Sequence, residues 1–303
     1  MTGARKPTSR NIVLTGLAVL ALTVFITVIP ASSVTLEQQL VARIPRPALT
    51  TAIPNRGIQL IGHRGAVLTA PENTLPAFDQ AIEAGFDIIE IDVRSTRDGV
   101  PVVFHDKTVD RTTNGTGALE EYSWDELRQL DAGSWFDPAY AGTRVPSLEE
   151  TLAHLQGRIC LMWDTKGMPT VEMVRLFKKY GFDRDCLLVT YGGMGSLEPA
   201  RNGEELLRLW PDAPTMTVAR SVEEMDTLVS EMPQLRAVFV RRDRVMPTMV
   251  RAAHERGLLV FNSTLNQLDT EEFYAMAVDS GVDFLMLDNI EKFEAYLRAT
   301  TSN

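Results

Sequence analysis

Runs with strand character and runs with helix character alternate along most of this chain, and that alternation restricts the fold more than any single motif. Strand-like runs, apolar and rich in β-branched residues, occupy 58–63, 87–93, 100–105, 159–164, 187–190, 215–218, 237–240, 258–263 and 284–287. Helix-like stretches at 75–84, 147–155, 170–180, 203–210, 221–231, 247–256 and 270–280 separate most of them. Such alternation argues for a parallel sheet. The third run follows the second across Asp98-Gly99, a strong hairpin signal, so it reads as a return arm outside the parallel series. Eight runs remain, the number of a (β/α)8 TIM barrel, with a small hairpin-containing insertion at about 94–144 after the second strand.

In such a barrel, reactive side chains collect at the C-terminal ends of the strands. His63 ends the first run, Glu90 and Asp92 the second, and Asp164 with Lys166 the fourth, while His105 ends the return arm. Side chains alternate along a strand, so Glu90 and Asp92 share one face and Ile89, Ile91 and Val93 the other. A two-residue loop at Asp98-Gly99 would set Arg97 against Val100 and Asp92 against His105, about 5 Å apart at Cβ. The set combines two imidazoles for proton transfer, a guanidinium (Arg64) suited to an anion, and three carboxylates suited to a hard cation, with Lys166 beside the third.

Each residue alone has a plainer reading. A single histidine is usually a hydrogen-bonded structural residue, a Glu-x-Asp strand is usually a solvated face, and Lys166 could serve as a salt bridge to the acids. The second run is apolar enough to be buried on both faces, however, and buried carboxylates require a partner or a metal. Asn73 precedes a helical pattern and fits a cap. Trp163 points away from Asp164 and Phe261 reads as core, while Asn262 and Thr264 stand where a strand end could reach the mouth. Trp135, Phe136 and Tyr140 would cover the site or pin the insertion, and His154 and His254 occupy ordinary surface helix positions.

His63-Arg64-Gly65, Pro71-Glu72-Asn73-Thr74, Glu90-x-Asp92-Val93, Thr96-x-Asp98-Gly99, His105-Asp106, Arg111-Thr112-Thr113-Asn114-Gly115, Trp135-Phe136, Pro146-Ser147-Leu148-Glu149-Glu150, Asp164-x-Lys166, Gly281-Val282-Asp283 and Leu287-Asp288 occur in this order. This series resembles the signature of the glycerophosphodiester phosphodiesterase family from about Gln59 to Ala299. The resemblance implies metal-dependent hydrolysis of glycerophosphodiesters to an alcohol and sn-glycerol 3-phosphate. It assigns general acid and base to His63 and His105, phosphate binding to Arg64 and Lys166, and a Ca²⁺ or Mg²⁺ ion to Glu90, Asp92 and Asp164. Asp164 departs from the glutamate common in the family by one methylene. The family also implies either attack by the substrate's own glycerol hydroxyl, giving a cyclic phosphate, or direct attack by water.

Outside this domain of 58–300, residues 1–34 form a separate unit joined by a linker at 35–57. Arg5, Lys6 and Arg10 precede an uncharged apolar run from Asn11 to Val34, which fits a signal peptide or an uncleaved membrane anchor. The basic flank stays cytoplasmic and sends the rest of the chain outward, secreted or membrane-associated through this segment. The chain has 30 basic and 40 acidic residues; without the segment's three cations 27 remain, a net charge of −13. That excludes nucleic acid as a natural partner and leaves a small phosphodiester as the expected one. Cys160 and Cys186 lie in consecutive runs and are either a disulfide or two buried thiols. Two other classes remain open beside the leading one: a lysophospholipase C- or D-like barrel acting on lysolipids, and a barrel that binds a ligand without turning it over.

Overall fold

The computed structural model describes residues 57–183, 185–191, 199–241, 246–265 and 269–301. The N-terminal apolar run and the linker lie outside the described residues, apart from Gly57. Eight parallel strands close into a ring: β1 (Gln59–Gly62), β2 (Ile88–Ser95), β4 (Cys160–Asp164), β5 (Leu187–Thr190), β6 (Thr215–Val218), β7 (Leu235–Phe239), β8 (Leu259–Thr264) and β9 (Phe284–Leu287). β1 pairs with both β2 and β9, which completes the (β/α)8 barrel. The ninth strand, β3 (Pro101–Val103), pairs antiparallel with the outer end of β2 and belongs to the insertion.

Period-two alternation divides the core into an inner and an outer layer. Ile61, Ile88, Met162, Leu188, Phe261 and Phe284 fill the inside of the ring. Ile89, Ile91, Leu161 and Trp163 face the surrounding helices. Trp163 stacks on Phe177 at 4.7 Å between centroids, as its expected packing role requires. Phe261 is fully buried within the ring, the core position expected for it. Each such side chain contributes roughly 1.5–3 kcal/mol of transfer free energy. Within the ring, Cys160 and Cys186 form a disulfide between β4 and β5, which resolves the two readings of this pair.

The hairpin differs from expectation by one residue. Val93 pairs with Val103 and Ser95 with Pro101, so Asp92 lies opposite Phe104 rather than His105. Phe104 indeed donates its N–H to the Asp92 carbonyl at 2.9 Å. The loop has three residues instead of two because Gly99 takes a left-handed conformation (φ 80°) and the Thr96 hydroxyl accepts from Val100 N–H at 3.0 Å. The rest of the insertion packs as a satellite core around Val102, Phe104, Leu119 and Leu127. Trp135, Phe136 and Tyr140 stack edge to face, and the Tyr140 hydroxyl donates to the Thr69 carbonyl at 2.7 Å, pinning the insertion to the loop after β1.

Candidate active site

The chain leaves β1 through a turn that only a few residues could make. Gly65 has φ 90°, and a Cβ there would meet the Ala77 carbonyl oxygen at 2.8 Å. Arg64 and Asn73 both adopt the left-handed region at φ 56°, which is strained for non-glycine residues. The strain is held by specific partners. Asn73 N–H donates to the Arg64 carbonyl at 2.9 Å, and Arg64 N–H donates to Glu90 Oε2 at 2.9 Å. Thr74, not Asn73, caps the helix Leu75–Ala84. Freed from that duty, the Asn73 carboxamide donates to Asp92 Oδ2 at 2.8 Å.

All seven residues expected from the strand ends meet at one mouth. His63, Arg64, Glu90, Asp92, His105, Asp164 and Lys166 line a cavity of about 270 Å³ together with Phe239, Ser263, Leu265 and Met286. The Asp92–Asp164 pairing at the end of the β2–β4 ladder sets two carboxylates side by side on the inner face. Glu90 adds a third, one oxygen from each acid lying within 4.8 Å of the others. Burial, then the neighbouring Asp92 and Asp164 charges, push the Glu90 carboxyl well above the usual carboxylate range. Burial also opposes ionisation of Asp92, but Lys166, Arg64, His105 and the Asn73 carboxamide hold it below its ordinary value.

Both oxygens of Asp164 are engaged, Oδ1 by the Thr190 hydroxyl at 2.8 Å and Oδ2 by Lys166 Nζ at 2.6 Å. Lys166 also stands 3.6 Å from Asp92 Oδ1, so the salt-bridge reading of this lysine describes its geometry. Asp92 Oδ1 is buried without a hydrogen-bond partner. With one carboxylate oxygen left without a hydrogen bond among three clustered hard oxygen donors, the residues present fit Ca²⁺ or Mg²⁺.

Each catalytic candidate histidine leans on its own carboxylate. His63 Nδ1 lies 3.1 Å from Asp288 Oδ1, and His105 Nδ1 lies 2.6 Å from Asp106 Oδ1. Burial lowers the His105 pKa, opposed in part by Asp92 and Asp106. A chain of charges continues outward from there. Arg111 Nε donates to Asp106 at 2.6 Å, while its two terminal nitrogens grip Glu72 at 2.7 and 2.8 Å. Glu72 in turn accepts from Arg64 Nη1 at 2.8 Å. Partial burial favours protonation of Asp106, but Arg111 and His105 outweigh it and hold the carboxyl at about 2.

A sequence model of the "Glycerophosphoryl diester phosphodiesterase family" matches residues 63–192. A glycerophosphodiester phosphodiesterase from Caldanaerobacter subterraneus is 30% identical over 240 residues, spanning 77% of this chain and 94% of that protein. This chain belongs to the glycerophosphoryl diester phosphodiesterase family. A solved glycerophosphodiester phosphodiesterase from Agrobacterium tumefaciens, 30% identical, superposes with a TM-score of 0.68 over 78% of this chain and 99% of that one. An Oleispira antarctica phosphodiesterase in complex with the product sn-glycerol-3-phosphate shares the fold at 24% identity and TM-score 0.67, covering 79% and 96%. As a member of this family, the chain is a phosphodiesterase.

Several positions were read differently from sequence. Asn262 and Thr264 turn outward: Asn262 donates to the Val240 carbonyl at 2.6 Å, and Thr264 lies 3.4 Å from Asp269. Their neighbours Ser263 and Leu265 are the ones that reach the cavity. His154 and His254 lie on helices away from it, yet each holds a carboxylate at 2.8 Å, Asp79 and Asp283 respectively. Both keep the surface helix positions expected of them, His154 29% and His254 42% exposed, and each also tethers a neighbouring element. Glu72, Asp106, Arg111 and Asp288 belong to recognised motifs, but no local pattern gave them partners. Glu72 and Arg111 meet across 39 residues and His63 and Asp288 across 225, whereas Asp106 takes His105 and Arg111 from one and five positions away.

Proposed function

We propose that the protein hydrolyses glycerophosphodiesters to an alcohol and sn-glycerol 3-phosphate in a divalent-cation-dependent reaction. The observation that carries this reading is the buried Glu90, Asp92 and Asp164 cluster, one of whose oxygens accepts no hydrogen bond, flanked by two histidines each backed by a carboxylate. Glu90, Asp92 and Asp164 would hold Ca²⁺ or Mg²⁺, which supplies Lewis-acid polarisation of a phosphoryl oxygen. Arg64 and Lys166 orient the anionic phosphodiester and offset charge that builds on its oxygens.

With Nδ1 of each ring directed at a carboxylate, Nε2 of His63 and of His105 is the nitrogen left for substrate. One imidazole accepts the proton of the attacking hydroxyl, and the other donates a proton to the departing alcohol oxygen. The carboxylate behind the base stabilises the imidazolium that forms there, and the one behind the acid holds its imidazolium until the proton is given up. Seven of the eleven residues that line the cavity of about 270 Å³ are titratable, which suits the anionic phosphate of a phosphodiester.

An extracytoplasmic setting, secreted or anchored through residues 1–34, is part of this reading. The Cys160–Cys186 disulfide supports it, since such bonds persist in oxidising compartments. Among the described residues no helix is long and apolar enough to cross a membrane.

The test is an assay of the full-length protein in mild detergent with glycerophosphocholine and glycerophosphoethanolamine, with EDTA and then with added Ca²⁺ or Mg²⁺. Metal-restored release of glycerol 3-phosphate is expected, and its absence with both cations would sink the reading. His63→Ala and His105→Ala should each remove turnover.

A further inference from the structure

Arg94 follows Glu90 and Asp92 at the same period-two spacing on β2, yet it lies past the point where the barrel ladder ends. The β2–β4 pairing stops at Asp92 and Asp164, and β3 stops at Val103. His105 and Lys166 therefore both sit on backbone just beyond the last regular strand pairing on either side of β2. Arg94 reaches both of them. Its Nε donates to the His105 carbonyl at 2.8 Å, and its Nη1 donates to the Lys166 carbonyl at 3.3 Å. Among the described residues the guanidinium forms no ion pair within 4.0 Å. Its acidic surroundings, Asp92, Asp106, Asp164 and Glu120, act at longer range.

Resting on the functional reading above, we infer that Arg94 is a positioning residue which sets His105 and Lys166 against the acids carried by its own strand. The rigid fork of a guanidinium can hold two carbonyls in fixed relation, whereas an ammonium is a single point donor. A displacement of about 1 Å in a reacting group can cost on the order of a hundredfold in rate. One side chain thus governs both a proton-transfer group and an anion-binding group without touching substrate. Its outer side opens on a second cavity of about 590 Å³, shared with Lys107, Gly167 and Met168. A small cation could enter there once the side chain is removed.

The test compares wild type with Arg94→Ala, Arg94→Lys and His105→Ala in the metal-loaded full-length protein. For Arg94→Ala, kcat should fall at least about tenfold through His105 and KM should rise through Lys166, and millimolar guanidinium should restore part of both. Arg94→Lys should lie between the two, and it serves alone if the alanine variant does not fold. Turnover in Arg94→Ala should stay above that of His105→Ala, which removes the imidazole itself; an unchanged kcat in Arg94→Ala, or a loss as complete as that of His105→Ala, would overturn the inference.

A second measurement does not depend on turnover. The protein has four histidines, so the His105 ring signal in NMR can be assigned by its loss in His105→Ala. In Arg94→Ala that signal should move while those of His154 and His254 stay. An unmoved His105 signal refutes the positioning role, whereas a wild-type enzyme inert towards glycerophosphodiesters refutes the substrate reading and leaves this result standing.

Discussion

Thr190 donates its hydroxyl to Asp164 Oδ1 at 2.8 Å, so an acid at the end of β4 is held from the neighbouring strand β5. The Thr190 oxygen also accepts from Thr165 N–H at 3.1 Å, which fixes the hydroxyl in turn. The short Asp164 carboxylate gains a defined position by this route.

Thr190→Val keeps the shape and removes the donor. Divalent-cation affinity, read by titration calorimetry, should fall about tenfold or more, as outer-shell partners of metal ligands generally show. Stability without metal should drop by about 1 kcal/mol. Unchanged affinity would mean that Lys166 alone fixes this acid.

Asn73 combines a left-handed backbone with a carboxamide clamp on Asp92, and the two contributions can be separated. Asn73→Gly relieves the backbone and loses the clamp; Asn73→Ala loses the clamp and adds strain. Chemical denaturation should place the alanine variant about 1 kcal/mol below the glycine variant, with both impaired in turnover. Equal stabilities would show that the left-handed conformation is not retained.

Asp106 gives a pH signature. Its folded-state pKa of about 2 lies below its ordinary value of 3.8, so the charged form is favoured by folding. The stabilisation is fully present above the ordinary value and is lost as pH falls through the folded one. The urea midpoint of the wild type should therefore exceed that of Asp106→Asn at pH 5, and the gap should close towards pH 2. A gap independent of pH across this window would contradict the ion pairing with Arg111 and His105.

The disulfide joins residues 26 apart. Replacing both cysteines by serine should cost about 2–4 kcal/mol, visible as a lower Tm, with the mass of the untreated native protein two hydrogens below that of its fully reduced form. A native mass equal to the reduced one would show free thiols.

Local periodicity was enough to find what periodicity controls. Alternation along β2 and β4 placed Glu90, Asp92, Asp164 and Lys166 on one face, and counting runs closed the barrel around them. The same reasoning failed where one residue changes parity. Gly99 lengthened the hairpin loop and moved Asp92 off His105, and a one-residue misjudgement on β8 picked Asn262 and Thr264 in place of Ser263 and Leu265. Most of the layer behind the site was beyond such reasoning, although Asp106 is the immediate neighbour of His105. Arg111 finds Glu72 39 residues away, and His63 finds Asp288 225 away, through topology rather than spacing. Asn73 was misjudged for a related reason, since Thr74 next to it is an equally good cap and the fold uses that one.

The chain of charges running from Arg64 through Glu72, Arg111 and Asp106 to His105 has a practical consequence for chemical labelling. Arg111 is 45% exposed, whereas Arg64 is 16% exposed. A dicarbonyl reagent that attacks guanidines would modify Arg111 first and slacken His105 from outside the cavity. Inactivation by such a reagent, even when substrate slows it, would then report a surface residue's grip on the imidazole and not an arginine that contacts phosphate.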